Sequence, residues 1–411
     1  MCVRTQKGND YMMKRNGAVT ASTLALMGLG FALGGCEYVV VAILPDIAAG
    51  LEADLGAAGK LVSVFAAGYA IGTPIVTAAT GRLPRFRLLM TLMGLFIAVN
   101  AVSMLAPGLG VLYVSRALAA VLTGTLTAVA LLFVQEVTPP EHTARAIAMV
   151  YTGMSLATVV GNPLNKTLSA VFSWRAPFAV ILIAGVILLP VLARVLPHTG
   201  AVEGAQTGFA RQFTVLRDPR YSLCVLMTIC CYAATYVVYT YVTPVLTDVL
   251  GVGETLISPL LMAVGVCCMC SNLLAGWLGS RGDVKKTPVV LSLQTVLFLA
   301  MPLLLGSRWT GLPAVFAMCL IMYLLSTPVQ YHASTLAETE HPYAVSLCAS
   351  TLSVAGNIGI ALGSFVSSGL QEVLGLRTLG FPAAGFALVA LALNLALLAA
   401  LKKRPRQGTA G

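Results

Sequence analysis

Residues Ala18–Leu44 read AVTASTLALMGLGFALGGCEYVVVAIL, an apolar run broken by a single charge, Glu37. The hydrocarbon core of a bilayer takes about 20 apolar residues of helix at about 1.5 Å each, so this stretch is long enough to cross it. Runs of the same kind recur as far as the basic tail at Lys402, giving twelve spans with only short polar interruptions. The chain as a whole is 58% hydrophobic and 10% charged over 411 residues, and its mean hydropathy is +0.89. A soluble domain of this length carries far more charge. The sequence therefore predicts an all-α integral membrane protein of twelve transmembrane helices, with no stretch left for a separate soluble domain.

A net charge of +10 can mark a nucleic-acid partner, but here Lys and Arg stand at the ends of apolar runs rather than along one face. They read as topology signals, because cytoplasmic loops carry the excess of Lys and Arg. With both termini inside, Lys14, Arg15, Arg82, Arg85, Arg87, Arg145, Arg194, Arg220, Lys286 and Lys402 fall on the cytoplasmic side, against Lys60, Arg175, Arg308 and Arg377 opposite. The expected location is a cell membrane of the bacterial inner-membrane type. Of the ten cysteines only Cys2 lies outside an apolar run, and Cys267, Cys268 and Cys270 have no nearby His to complete a metal set. They read as small buried filler, so no metal and no cofactor is expected. No nucleophile–base pair and no repeated filter loop is visible, which leaves an enzyme or a channel without support.

The polar stretch Pro197–Arg220 divides the chain in two. The resulting organisation is a cytoplasmic tail over residues 1–17, a six-helix bundle over 18–196, a linker over 197–220, a second six-helix bundle over 221–401 and a basic tail over 402–411. An internal repeat supports the division. Glu37-Tyr38-Val39-Val40 followed by Pro45 is echoed by Thr235-Tyr236-Val237-Val238 followed by Pro244, about 198 residues later. The fifth span, Thr143–Ala170, carries Gly161-Asn162 and is followed by Trp174-Arg175; the eleventh, Tyr343–Leu370, carries Gly356-Asn357 and is followed by Leu376-Arg377.

These residues resemble the major facilitator superfamily, in particular its drug:proton antiporter branch with the arabinose-type sugar efflux permeases and chloramphenicol exporters. The resemblance rests on Gly34-Gly35-Cys36-Glu37-Tyr38 and Leu44-Pro45-Asp46-Ile47-Ala48, on Gly81-Arg82-Leu83-Pro84-Arg85, and on Ser115-Arg116. It continues through Gly161-Asn162-Pro163-Leu164, Ser173-Trp174-Arg175, Tyr239-Thr240-Tyr241-Val242-Thr243-Pro244 and Ser271-Asn272-Leu273-Leu274-Ala275-Gly276. It implies two pseudo-symmetric six-helix bundles whose first, fourth, seventh and tenth helices surround a substrate path. Two positions depart from the pattern: the loop after the second span lacks the family's acidic residue, and Asn165-Lys166 stands where small uncharged residues are usual.

An ionised side chain at mid-bilayer costs about 2.5–3.5 kcal/mol, which makes intramembrane charges candidates for function. Three qualify: Glu37, Arg116 and Lys166. Glu37 is either a proton carrier, as a lone carboxyl among apolar neighbours with Gly30 and Gly34 on its helical face, or a permanent ion-pair partner of Arg116 or Lys166. Arg116 is either a counter-ion and substrate anchor or a snorkelling cation, and Lys166, nearer the surface, reads first as snorkelling and second as a charge partner.

Helical spacing places Tyr232, Tyr236, Tyr239 and Thr243 on one face of the seventh span and Tyr323, Thr327 and Gln330 on one face of the tenth. Tyr236, Tyr239 and Gln330 are candidates for the path, where rings can stack on a solute and hydroxyls can hydrogen-bond it. Ser346, Ser350, Ser353, Asn357 and Ser364 share a face of the eleventh span; the serines suit helix packing, and Asn357 is counted with the path. Asn162 and Pro163 are expected to bend the fifth span, since Pro removes a backbone hydrogen bond.

The expected function is a proton-coupled secondary transporter exporting small organic molecules, drug or sugar-like, by alternating access. The alternative is an uncoupled facilitator or importer of a small polar metabolite in which Glu37 is purely structural. The partners are then a small-molecule substrate, protons and the lipid bilayer, with no nucleic acid and a single chain as the working unit.

Overall fold

The computed structural model describes residues 3–81, 83–198, 213–280, 286–341 and 345–402; most of the linker and nearly all of the basic tail expected from the sequence lie outside them. Among the described residues the chain is helical without strands, and twelve helices are long and apolar enough to cross a membrane. In the first half these are α1 (Ala21–Gly50), α2 (Leu55–Thr80), α3 (Arg85–Met104), α4 (Leu109–Val137), α5 (Arg145–Val171) and α6 (Ala176–Val195). The second half holds α7 (Pro219–Tyr239), α8 (Glu254–Leu278), α9 (Thr287–Leu304), α10 (Arg308–Glu340), α11 (Thr351–Leu374) and α12 (Leu376–Leu401). Large apolar side chains stay exposed along them, among them Ile71, Ile75, Leu303 and Phe365. In a lipid solvent that exposure is favourable, and the chain is a multi-pass membrane protein.

Helix association without a hydrophobic drive depends on close backbone approach at small residues. Gly30 and Gly34 of α1 sit so near α5 that an added Cβ would stand 2.4 Å from the Val150 carbonyl oxygen and 2.9 Å from that of Met154. Gly359 and Gly363 of α11 approach the carbonyls of Ile229 and Ala233 on α7 in the same way, at 2.4 and 2.3 Å. The glycines that flank Glu37 in sequence therefore serve packing against α5.

The internal repeat has a backbone counterpart. α1 breaks at Ile43 (φ −116°, ψ 20°) just before Pro45, and α7 is followed by a matching break at Tyr241 (φ −107°, ψ 23°) before Pro244. Tyr241 is displaced from Ile43 by the same offset that separates Thr235 from Glu37. Each half also closes with a like contact: Arg175 donates to the Ala106 carbonyl at 3.0 Å, and Arg377 to the Pro302 carbonyl at 2.8 Å.

Proline at position 45 cannot donate to the carbonyl four residues back, which would leave Val41 with an unpaired oxygen in an apolar core. The other half supplies the partner. Thr243 Oγ1 donates to Val41 O at 2.9 Å and lies 3.3 Å from Ala42 O. Nearby, Gly59 of α2 packs onto Tyr241 and Ser368, whose hydroxyls are 3.1 Å apart. Thr167 of α5 meets Ser258 of α8 at 2.9 Å. The end of the molecule that carries Pro45 and Pro244 is thus sealed by contacts between halves. At the opposite end the described charged contacts stay within one half, Arg85 with Glu136 and Arg220 with Asp218 and Glu340.

Candidate functional site

A cavity of about 130 Å³ lies between the halves. Its walls are Glu37 and Tyr38 of α1, Tyr232 and Tyr236 of α7, Tyr323 of α10, and Ser353, Gly356 and Asn357 of α11. The tyrosines brace one another edge to face: Tyr232 on Tyr323 with ring centroids 6.2 Å apart, and Tyr236 on Tyr239 at 5.3 Å. Such pairs fix ring orientation, so the hydroxyls and faces turned to the cavity are preset. Asn357 donates one amide hydrogen to the Ser353 carbonyl at 3.2 Å.

Glu37 makes no direct ion pair among the described residues. Arg116 lies behind it on α4, 1% exposed, near enough for its charge to act on the carboxyl. The guanidinium nevertheless spends its contacts elsewhere: Nη1 donates to Cys36 Sγ at 3.5 Å, and Cζ stands 4.2 Å above the centre of the Phe65 ring. Its Nε has no hydrogen-bond partner among the described residues. A cation over an aromatic face is partly compensated without a carboxylate, which leaves Glu37 available.

Lys166 is not the partner of Glu37. Its ammonium is held by Asp46, at 2.7 and 2.9 Å to the two carboxylate oxygens, and the side chain is only 11% exposed, so it does not snorkel. Asp46 follows the α1 break, and the pair pins the ends of α1 and α5 together. Asn162 and Pro163 follow a π-helical turn, Ala157–Gly161, in which α5 accommodates the hydrogen bond that Pro163 cannot make.

Of the other residues singled out from sequence, Tyr236 and Asn357 line the cavity, and Tyr239 supports Tyr236 from behind with 1% exposure. Gln330 is exposed on α10 and Arg116 sits behind the wall; neither lines the cavity. Sequence reasoning gave no site role to Tyr38, Tyr232 or Tyr323. The signal for Tyr38 was its place beside Glu37, and for the other two their membership of the stripes on the seventh and tenth spans. Replacing Tyr236 with Phe keeps the ring and its contact with Tyr239 while removing a cavity hydroxyl. The expected result is unchanged yield and melting temperature with solute affinity weakened by about 0.5–1.5 kcal/mol, read by binding to purified protein.

Asp218, Glu340 and His341 bring ligand-type atoms within 4.8 Å of one another, but a guanidinium occupies them. Arg220 donates to Asp218 Oδ2 and to Glu340 Oε1, each at 2.7 Å, and His341 Nε2 is 3.2 Å from Asp218 Oδ2. Burial works against ionisation of Asp218, yet the hydrogen bonds from Arg220 and His341 outweigh it and hold the carboxyl down to about 2. Stability from this depressed group is present above the ordinary carboxylate value near pH 4 and is lost as pH falls through about 2. Arg220→Ala should cost on the order of 1–3 kcal/mol at pH 7 and flatten the loss of melting temperature between pH 4 and 2.

The model of the Major Facilitator Superfamily matches residues 26–346. The chloramphenicol resistance protein of Streptomyces lividans is 30% identical over 346 residues, 82% of this chain and 86% of its own length. A probable sugar efflux transporter of Mannheimia succiniciproducens is 27% identical over 357 residues, 85% of this chain and 87% of that one. A solved structure of a bacterial homologue of the human lysosomal transporter Spinster, inward-facing and unoccupied, superposes with a TM-score of 0.80 at 17% identity, over 96% of this chain and 99% of that one. Twelve apolar helices in two repeated halves around a cavity, together with these matches, show that the chain belongs to the Major Facilitator Superfamily and is a transporter of small molecules rather than an enzyme.

Proposed function

We propose that the chain is a proton-coupled exporter of small organic molecules that works by alternating access of its two halves. The observation that carries this reading is Glu37, a carboxyl without a direct ion pair among the described residues, in the wall of a tyrosine-lined cavity between the halves. Protonation of Glu37 and occupation of the cavity each bias the access state, and coupling follows if each ligand binds the two states unequally. The relatives' names, chloramphenicol resistance and sugar efflux, support export of drug-like or sugar-like solutes.

Basic residues gather at the end opposite the seal, and this is the cytoplasmic end by charge asymmetry. The described state is then shut toward the outside. Reporter fusions at Gly110 and Gly251 are expected to report the external face and one at Thr138 the cytoplasmic face; the reverse pattern overturns the orientation. The function itself is tested by solute-induced proton movement in proteoliposomes across sugars, nucleosides and amphenicols. Solute flux without proton movement would make the protein an uncoupled facilitator.

A further inference from the structure

The cysteines that read as filler in the sequence include one set that the fold assembles from two helices. Cys319 and Met322 stand three residues apart on α10, one turn apart on the same face. That helix packs against α8, which carries Cys268. The Cys268 thiol donates to Met322 Sδ at 3.9 Å and makes further hydrogen bonds with Cys319 and with the hydroxyl of Tyr239. All three sulfur residues are at most 3% exposed, and none of them lines the tyrosine-walled cavity. Met322 also stands where α10 loses its regular ladder: the helix stops at Ile321 and resumes at Ser326. There the Tyr323 N–H donates to Ser271 Oγ of α8 at 2.9 Å. In transporters, interrupted helices of this kind commonly border ion sites.

Ligand softness decides what such a set can hold. Thiolate and thioether sulfurs select Cu(I), whereas Ca²⁺ and Mg²⁺ take oxygen. A metal–sulfur bond of about 2.3 Å places three trigonal sulfurs about 4 Å apart, which is the separation between Cys268 and Met322. Charge fixes how many thiols ionise. One thiolate cancels one monovalent ion, so the filled site is neutral in its apolar surroundings; two thiolates would leave a buried net charge.

The geometry points to a Cu(I) site between α8 and α10, with Cys268 as the thiolate and Cys319 and Met322 as neutral ligands. The ion takes the place of the proton that Cys268 shares with Met322. The Cys268 S–H bond breaks, three copper–sulfur bonds form, the proton passes to water and no electron is transferred. The Tyr239 hydroxyl stays on Cys268 and supports its negative charge. Because Tyr239 also braces Tyr236 in the cavity wall, the ion ties α8 to α10 directly behind the solute site.

The test titrates the full chain, reduced and in detergent without oxygen, with Cu(I) against a colorimetric Cu(I) chelator. The parent is expected to hold one Cu(I) per chain, and Cys230→Ser, which changes a thiol outside the set, to hold the same. Met322→Leu keeps both thiols and nearly the same volume. It should weaken retention at least about tenfold, the lower end of what losing even an outer-shell partner of a metal costs. Cys268→Ser should abolish it. X-ray absorption of the loaded parent should show sulfur neighbours only. Loading should also raise the melting temperature, because the ion binds the folded chain, and the rise should shrink in Met322→Leu. A parent that surrenders all its Cu(I) to the chelator overturns the site, as does retention by Cys268→Ser. If Cys268→Ser does not fold, Met322→Leu decides alone: retention equal to that of the parent overturns the three-sulfur set.

Discussion

Glu37→Gln is expected to abolish gradient-driven transport, by on the order of a hundredfold, the scale of losing a group that must carry a proton. Gln nearly matches Glu in shape but cannot take up and release a proton. The geometry separates this outcome from loss of a structural ion pair. If Glu37 were the permanent partner of Arg116 or Lys166, neutralising it would leave a buried cation unpaired and cost about 3–5 kcal/mol. Lys166 has Asp46 instead, and Arg116 rests on Phe65 and Cys36. Glu37→Gln should therefore fold in normal yield, melt within a few degrees of the parent, and retain exchange of solute down its own gradient. The measurements are pH-dependent transport in liposomes and thermal melting on the same preparation. A sharply lowered melting temperature, restored by adding Arg116→Gln, would falsify the carrier role and make Glu37 the counter-charge of Arg116.

What could be read from the chain alone follows from which interactions are local. Twelve apolar runs, the basic asymmetry and the repeat are properties of short windows, and the twelve helices lie where those windows placed them. The α1 break is an instance: Pro45 announces it, and the structure moves the end of the helix out to Gly50 because the chain continues helically past Ile43. Pairings between distant segments were not legible. Nothing in Lys166 points to Asp46, which is distant in sequence and sits at a helix end the hydropathy window cut off at Leu44. Spacing put Gly30 and Gly34 on the face of Glu37, but only packing shows that α5 uses that face. Gln330 shares a helical face with Tyr323, yet the backbone turns between Ile321 and Ser326 divide α10, so the two residues do not share a surroundings. Which end of the bundle is sealed is a property of one conformational state, and sequence encodes all of them.

That seal gives the second large effect. Gly59 has no space for a side chain: an added Cβ would stand 2.1 Å from the Tyr241 hydroxyl and 2.7 Å from Ser368 Oγ, with both Tyr241 and Ser368 buried. Tyr241 cannot swing away cheaply, because it occupies the break between α7 and Pro244 and its hydroxyl is engaged by Ser368. Gly59→Val therefore penalises the sealed state, by about 1–3 kcal/mol on the scale of overpacked cores. The state in which α2 and α11 have separated at this end does not contain the clash and is spared the cost. A differential of that size shifts the equilibrium toward opening by roughly five- to a hundred-and-fifty-fold. Thr243 should then part from Val41 and Ala42, so the distance between spin labels on the outer ends of α2 and α11 should lengthen in Gly59→Val. Turnover should fall, since a cycle needs both states, while the folded fraction is preserved. Gly59→Ala carries the same Cβ without the branches and should give an intermediate shift. An unchanged label distance in a folded, inactive Gly59→Val would mean that the seal yields by local rearrangement of Tyr241, and that the contact at Gly59 is packing within one rigid body instead of a gate between two.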